Sequence, residues 1–218
     1  MLRFNAFGIP TKVHWMFWVV CALLGGALSP NMTPERYQGV FIWVGVCFVS
    51  IMWHELGHAL TARKYGARPE IMLYGLGGLA SYPSSVRMTR NQRLKVIAGG
   101  PGFGLMLGAA VWLIAKLILP PPAEMNYHLW VLVRALIYIN IFWSLVNMLP
   151  VLPLDGGQFL GALMHEDKRQ LRGQIGTGVA AAVAFLAIAS GQTYLGIMFG
   201  LLAFTNYQIS QGKQAKFF

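Results

Sequence analysis

The chain has 218 residues, 56 % of them hydrophobic and only 11 % charged, against roughly 25 % charged in an ordinary soluble domain. Seventeen basic and seven acidic side chains are too few to cover a globule of this size, which argues against a water-soluble enzyme domain, a disordered chain or a collagen-like repeat. The net charge of +10 does not point to nucleic acid, because the basic residues fall in short clusters between apolar runs, where they set membrane orientation. The expected fold is an all-α polytopic membrane protein of about six transmembrane helices, lodged in a lipid bilayer. It is taken as a single domain over residues 1–218 with no inserted soluble module.

A helix needs about 20 mainly apolar residues to cross the hydrocarbon core. The first candidate is Val13 to Leu28, with Trp15 and Trp18 at one interface. Ser29-Pro30-Asn31 after it is a poor cleavage site, so it is not read as a removable signal. The second runs from Tyr37 to Ala62 between Arg36 and Arg63. Glu70 to Tyr82 is too short and too broken by glycine to span. The third candidate, Val96 to Leu119, stops at Pro120-Pro121-Pro122. The fourth, Leu129 to Leu149, is broken by Pro150 and Pro153. Ile175 to Ser190 and Tyr194 to Tyr207 complete the set, with Gly191-Gln192 between them.

Six spans put both termini on one side. That side would hold 14 of the 17 Lys and Arg residues, leaving Arg36, Lys116 and Arg134 at the opposite ends of spans. The positive-inside rule then places both termini in the cytoplasm. Cys21 and Cys47 lie within apolar stretches and read as small packing residues. Gly100, Gly104 and Gly108 line one face of the third span, where another helix can approach closely.

Within the second span the chain reads His54-Glu55-Leu56-Gly57-His58. Histidines at i and i+4 share a helix face one turn apart, so both imidazoles can reach one ion, and Glu55 can touch a water bound to it. This is the pattern of two zinc ligands and a carboxylate general base. Ionisable side chains are costly inside a spanning helix, and a divalent cation compensates for three of them in five residues.

Catalytic zinc generally takes a third protein ligand and keeps one position for water. His14, His128, His165, Glu124 and Asp155 are the candidates. His128 and Glu124 fall on the opposite membrane side from His58; His14 lies on the same side, where an interfacial aromatic role competes with ligation. Asp155 is preferred because it follows Pro150 and Pro153 and precedes Gly156-Gly157. Non-helical backbone at membrane depth is tolerated where it is buried in protein or lines a watery cavity.

The His54-Glu55-Leu56-Gly57-His58 helix, followed by Asn147-Met148-Leu149-Pro150-Val151-Leu152-Pro153-Leu154-Asp155-Gly156-Gly157, resembles the site-2 protease family of intramembrane zinc metalloproteases. Gly99-Gly100-Pro101 and Phe7-Gly8-Ile9-Pro10 are similar to that family as well, so the likeness extends over residues 4–207. It implies one Zn2+ held by His54, His58 and Asp155, with Glu55 as catalytic base. It further implies that Asn147 stabilises an oxyanion or positions substrate; an interhelical hydrogen bond is the competing role for Asn147 and the expected one for Asn140. Glu70 to Tyr82 is similar to the family's small β-hairpin beside the active site, whose edge strand is thought to hold an extended substrate; a structural re-entrant hairpin is the alternative. The sequence departs from many relatives at Gln158, where a basic residue is common.

The expected function is therefore hydrolysis of a peptide bond in or near a transmembrane segment of a single-span or short membrane-protein substrate. The alternative is a zinc-binding membrane protein without hydrolysis, either a carrier or an inactive scaffold. Glu55 discriminates, since transport needs ligands but no base beside an open zinc position. A prenyl-protein-processing type of zinc protease would need a glutamate ligand on a later helix, and neither of the last two spans carries one.

Overall fold

The computed structural model describes residues 1–30, 32–75, 77–83, 86–164 and 166–213; His165, a ligand alternative, and Lys216, counted among the tail charges, lie outside them. The chain is mostly helical, with one small sheet, and divides into two compact units. The first comprises Met1–Met88 and Gly99–Ser144, the second Thr89–Ala98 and Leu145–Phe218.

The first unit opens with a β-hairpin that sequence reasoning did not anticipate. Strands β1 (Leu2–Ala6) and β2 (Ile9–Val13) pair antiparallel through a two-residue turn in which Phe7 and Gly8 both take positive φ, 51° and 76°. That is the turn geometry whose twist matches paired strands. Helix α1 (Trp15–Leu24) follows, then α2 (Pro34–Lys64). A second hairpin, β3 (Glu70–Tyr74) and β4 (Gly77–Ser81), comes next; Leu76 lies outside the described residues. β3 pairs parallel with β2, giving one four-stranded sheet in the order β1-β2-β3-β4. Ile9, Val13, Ile71 and Leu73 on its inner face are at most 1 % exposed and pack with Phe17, Cys21, Val46, Cys47, Met52 and Leu56 of the helices. Each such aliphatic side chain contributes about 1.5–3 kcal/mol on burial.

α2 is long because its ends are well terminated. Thr33 accepts a hydrogen bond from the Arg36 amide, Pro34 starts the first turn and Glu35 sits at the positive end of the dipole. Arg63 and Lys64 occupy the last turn, and Gly66 ends the helix with φ 84°.

Helix α3 (Arg90–Leu117) begins in the second unit and runs on into the first. In the first unit Gly57 of α2 and Gly99 of α3 meet backbone to backbone: a Cβ on Gly99 would lie 2.5 Å from the Gly57 carbonyl oxygen. Gly104 faces the Ser144 hydroxyl and Gly108 faces Ile141, so the glycine face packs closely, as its spacing predicts. Helix α4 (Tyr127–Tyr138) passes into a π-helical segment at Ile139–Trp143 and a short α5 (Ser144–Asn147). Within the π segment the Asn140 amide donates to Ser50 Oγ of α2 at 2.8 Å and to Leu136 O at 2.9 Å, the interhelical role expected of it.

In the second unit, residues 148–154 form an irregular bend with a cis Leu152–Pro153 peptide, leading into α6 (Asp155–Leu163). A 3-10 turn (Glu166–Lys168) precedes α7 (Arg169–Ala189), which packs antiparallel on α8 (Thr193–Ser210). Small residues permit that close contact: Gly173 lies against the Asn206 carbonyl and Ser210, and Gly176 against the Asn206 side chain.

Among the described residues, four helical stretches are long and apolar enough to cross a membrane: Pro34–Lys64, Arg90–Leu117, Tyr127–Asn147 and Arg169–Ala189. The chain is an integral membrane protein. The first expected span differs from the structure, since Val13 belongs to a strand and α1 has only ten residues, about 15 Å of helix.

Candidate metal centre

Three of the residues singled out from sequence lie in the C-terminal half of α2. His54 is 8 % and Glu55 6 % exposed, and His58 is half-buried. The i, i+4 spacing brings the two imidazoles edge to face, with their Nε2 atoms 3.1 Å apart. Two metal–nitrogen bonds of about 2.0–2.1 Å in tetrahedral geometry place their nitrogens roughly 3.3 Å apart. The pair therefore suits a single small cation such as zinc.

Two glycines shape this pocket; the resemblance put the Glu70–Tyr82 hairpin beside the active site, but sequence reasoning singled out neither glycine's contact with a site residue. A Cβ on Gly100 of α3 would fall 2.5 Å from His58 Cε1 and 2.6 Å from Cδ2, so the His58 ring occupies space that only glycine leaves. A Cβ on Gly78 of β4 would fall 2.5 Å from Glu55 Oε1 and 2.7 Å from Cδ. The β4 backbone thus runs directly over the Glu55 carboxylate. The sequence signals were the glycine stripe of the third span, which explained packing but not the imidazole it accommodates, and the likeness of Glu70 to Tyr82 to a hairpin beside the family's active site. Burial pushes the Tyr74 phenol above its ordinary pKa, and the Glu55 charge adds to the rise.

Asp155 is half-buried at the first position of α6 in the second unit. The glycines after it are packing requirements. Gly156 sits on the carbonyl groups of Met148 and Leu149, and a Cβ on Gly157 would lie 2.5 Å from Val151 C and 2.6 Å from Leu152 N. The first turn of α6 is therefore folded back on the bend that precedes it. At the other end of α6, Arg90 donates to the carbonyls of Ala162 and Leu163, and Arg172 to that of Gly161. Asn147 is half-buried at the end of α5.

Two of the other ligand candidates have partners of their own. His14 caps α1, its Nδ1 accepting from the Met16 amide at 3.3 Å, and His128 pairs with the Gln38 side chain. A cavity of about 480 Å³ lined by Arg36, Trp43 and Tyr127 lies toward the start of α2; Trp43 is about three helical turns from His54, so this space is separate from the histidine pair.

A model of Peptidase family M50 matches residues 122–190. A zinc metalloprotease of Methanocaldococcus jannaschii is 25 % identical over 206 residues, covering 94 % of this chain and 57 % of the relative. A Synechocystis relative is 30 % identical over 205 residues, covering 89 % of this chain and 52 % of its own length. The chain thus spans about half the length of these curated relatives. Among solved structures, the site-2 protease from Methanocaldococcus jannaschii superposes with a TM-score of 0.65 at 22 % identity, over 100 % of this chain and 98 % of that one. At that identity the likeness is one of fold.

Proposed function

We propose that the chain, similar to Peptidase family M50 over residues 122–190 and in fold to a site-2 protease, is an intramembrane zinc metalloprotease hydrolysing a peptide bond in or near a transmembrane segment of a membrane-protein substrate. The observation that carries this reading is the pair of Nε2 atoms 3.1 Å apart on α2 with the buried Glu55 carboxylate between them in sequence and β4 above it.

By this reading His54, His58 and Asp155 would hold one zinc ion, the three protein ligands that catalytic zinc generally takes. The two units together then make one proteolytic domain over residues 1–218. Zinc, when bound, supplies a Lewis acid that polarises the scissile carbonyl and makes water acidic near neutral pH. Glu55 accepts the proton of the attacking water and returns it to the leaving amine. The Asn147 amide donates to the carbonyl oxygen as negative charge develops there.

A substrate helix hides its carbonyls in hydrogen bonds, so it must unwind to react. β4 is the last strand of the sheet, and its free edge can pair with the unwound segment, which lies down where β4 crosses Glu55. Six apolar segments lodge in the bilayer, α1 and α8 adding to the four long helices. Both termini and the approach to the site face the cytoplasm, supported by the 14 of 17 basic residues assigned to that side.

The test is Glu55→Gln in purified protein presented with single-span substrates. Zinc content should be unchanged while cleavage falls by at least about 100-fold, the lower range for loss of a general base. Full cleavage by this variant would refute the assigned base; zinc binding with no cleavage by the unaltered protein of any membrane substrate would favour a non-hydrolytic role.

A further inference from the structure

The bend from Met148 to Leu154 carries the proposed third ligand at its end, and it contains two prolines and little internal pairing. Val151 N donates to Leu149 O and Leu154 N to Val151 O. The N–H and C=O of Leu152 take part in neither bond. Both are claimed by one side chain 54 positions later. Asn206 Nδ2 donates to Leu152 O at 2.8 Å, and Leu152 N donates to Asn206 Oδ1 at 3.2 Å. The primary amide thus pairs with Leu152 as a neighbouring strand would. A third bond, Nδ2 to Leu202 O at 2.8 Å, fixes the amide to α8 itself, and Asn206 is 1 % exposed.

The surroundings are cut to fit this side chain. Gly176 of α7 faces it, and a Cβ there would stand 2.8 Å from Asn206 Cγ and closer still to Oδ1. The anchored peptide in turn touches the start of α6, because a Cβ on Gly157 would lie 2.6 Å from Leu152 N. Asp155 is therefore held between two points, Leu152 and Gly157, that are packed together and tied to α8. Buried polar groups need hydrogen-bond partners; here the partner also determines where the bend sits.

We propose that Asn206 is a positioning residue for the metal site: its amide clamps the Leu152 peptide and thereby holds Asp155 in the orientation that binds the ion. This rests on the reading of Asp155 as a ligand. Groups that orient the ligands of a metal typically change its affinity by about 10–100-fold when removed.

The experiment measures zinc affinity by competition with a chromophoric chelator, and the visible spectrum of the cobalt-substituted protein, which reports ligand geometry. It uses the full chain in detergent. Asn206→Leu should weaken zinc binding by about 10-fold or more and alter the cobalt spectrum. Gly176→Ala, which leaves Asn206 in place but crowds its amide, should move both readouts in the same direction. Gly178→Ala, on the same helix with nothing within 4 Å of the added methyl, should move neither. Asp155→Ala separates the two ideas. If it binds zinc as tightly as the unaltered chain, the ligand assignment is wrong. If it loses zinc while Asn206→Leu and Gly176→Ala keep the affinity and the cobalt spectrum of the unaltered chain, Asn206 only packs α8 and the positioning role is refuted. Should Asn206→Leu fail to fold, Gly176→Ala decides alone.

Discussion

Adding one methyl group at Gly100 tests whether the α3 glycine stripe serves the histidine pair. The new Cβ would lie 2.5–2.6 Å from two carbons of the His58 ring, where ordinary contact begins near 3.5–4.0 Å. The ring must then retreat by roughly 1 Å, whereas metal–ligand distances are held to about 0.2 Å. Such a shift removes His58 from any site it shares with His54. Overpacking of this kind costs about 1–3 kcal/mol, and loss of a zinc–imidazole bond adds to the effect on affinity. Gly102→Ala is the internal control: it lies two residues along the same helix with nothing within 4 Å, and replacing a helical glycine by alanine stabilises by about 0.5–1 kcal/mol. The two single-methyl variants should therefore move in opposite directions. Zinc per chain by elemental analysis, chelator competition and thermal unfolding in detergent measure the difference. A Gly100→Ala protein that retains full zinc affinity would show that His58 is not confined as described.

Gly78→Ala should lower the cleavage rate by at least about 10-fold with zinc content unchanged, since the atoms nearest its methyl are those of the Glu55 side chain; an unaffected turnover number would separate β4 from the chemistry. Removal of zinc by a chelator should abolish cleavage and restoration of zinc should recover it, as measured by mass spectrometry of the products. Ser50→Ala should destabilise by only about 0.6 kcal/mol, the average for interhelical hydrogen bonds in a membrane protein, because it removes the 2.8 Å bond to Asn140; a double-mutant cycle with Asn140 checks the value. Breaking the Lys12–Glu70 pair, 2.8 Å long but 38 % and 54 % exposed, should change stability by no more than about 1 kcal/mol, read as the shift in unfolding temperature in detergent.

Properties that depend on neighbours along the chain were legible in the sequence. Long apolar runs require a bilayer whatever the fold, and helical spacing alone puts His54 and His58 on one face with Glu55 next to them. Pro150, Pro153 and the Gly156-Gly157 pair announce a break in the helix wherever it lies. Properties that depend on remote backbone meeting backbone were decided only in three dimensions. The N-terminal hairpin was hidden because strands of five residues merge with the apolar run behind them, so Val13 read as the start of a helix. Its parallel pairing with β3 joins Thr11 to Ile71 across two intervening helices, a match no local periodicity encodes. The same holds for Gly78 above Glu55, Gly100 beside His58 and Asn206 on Leu152. A glycine in sequence marks a lack of side chain but not what fills the space, and an amide in an apolar helix marks a need for partners without naming them. Those choices follow from which surfaces the folded chain brings within contact distance.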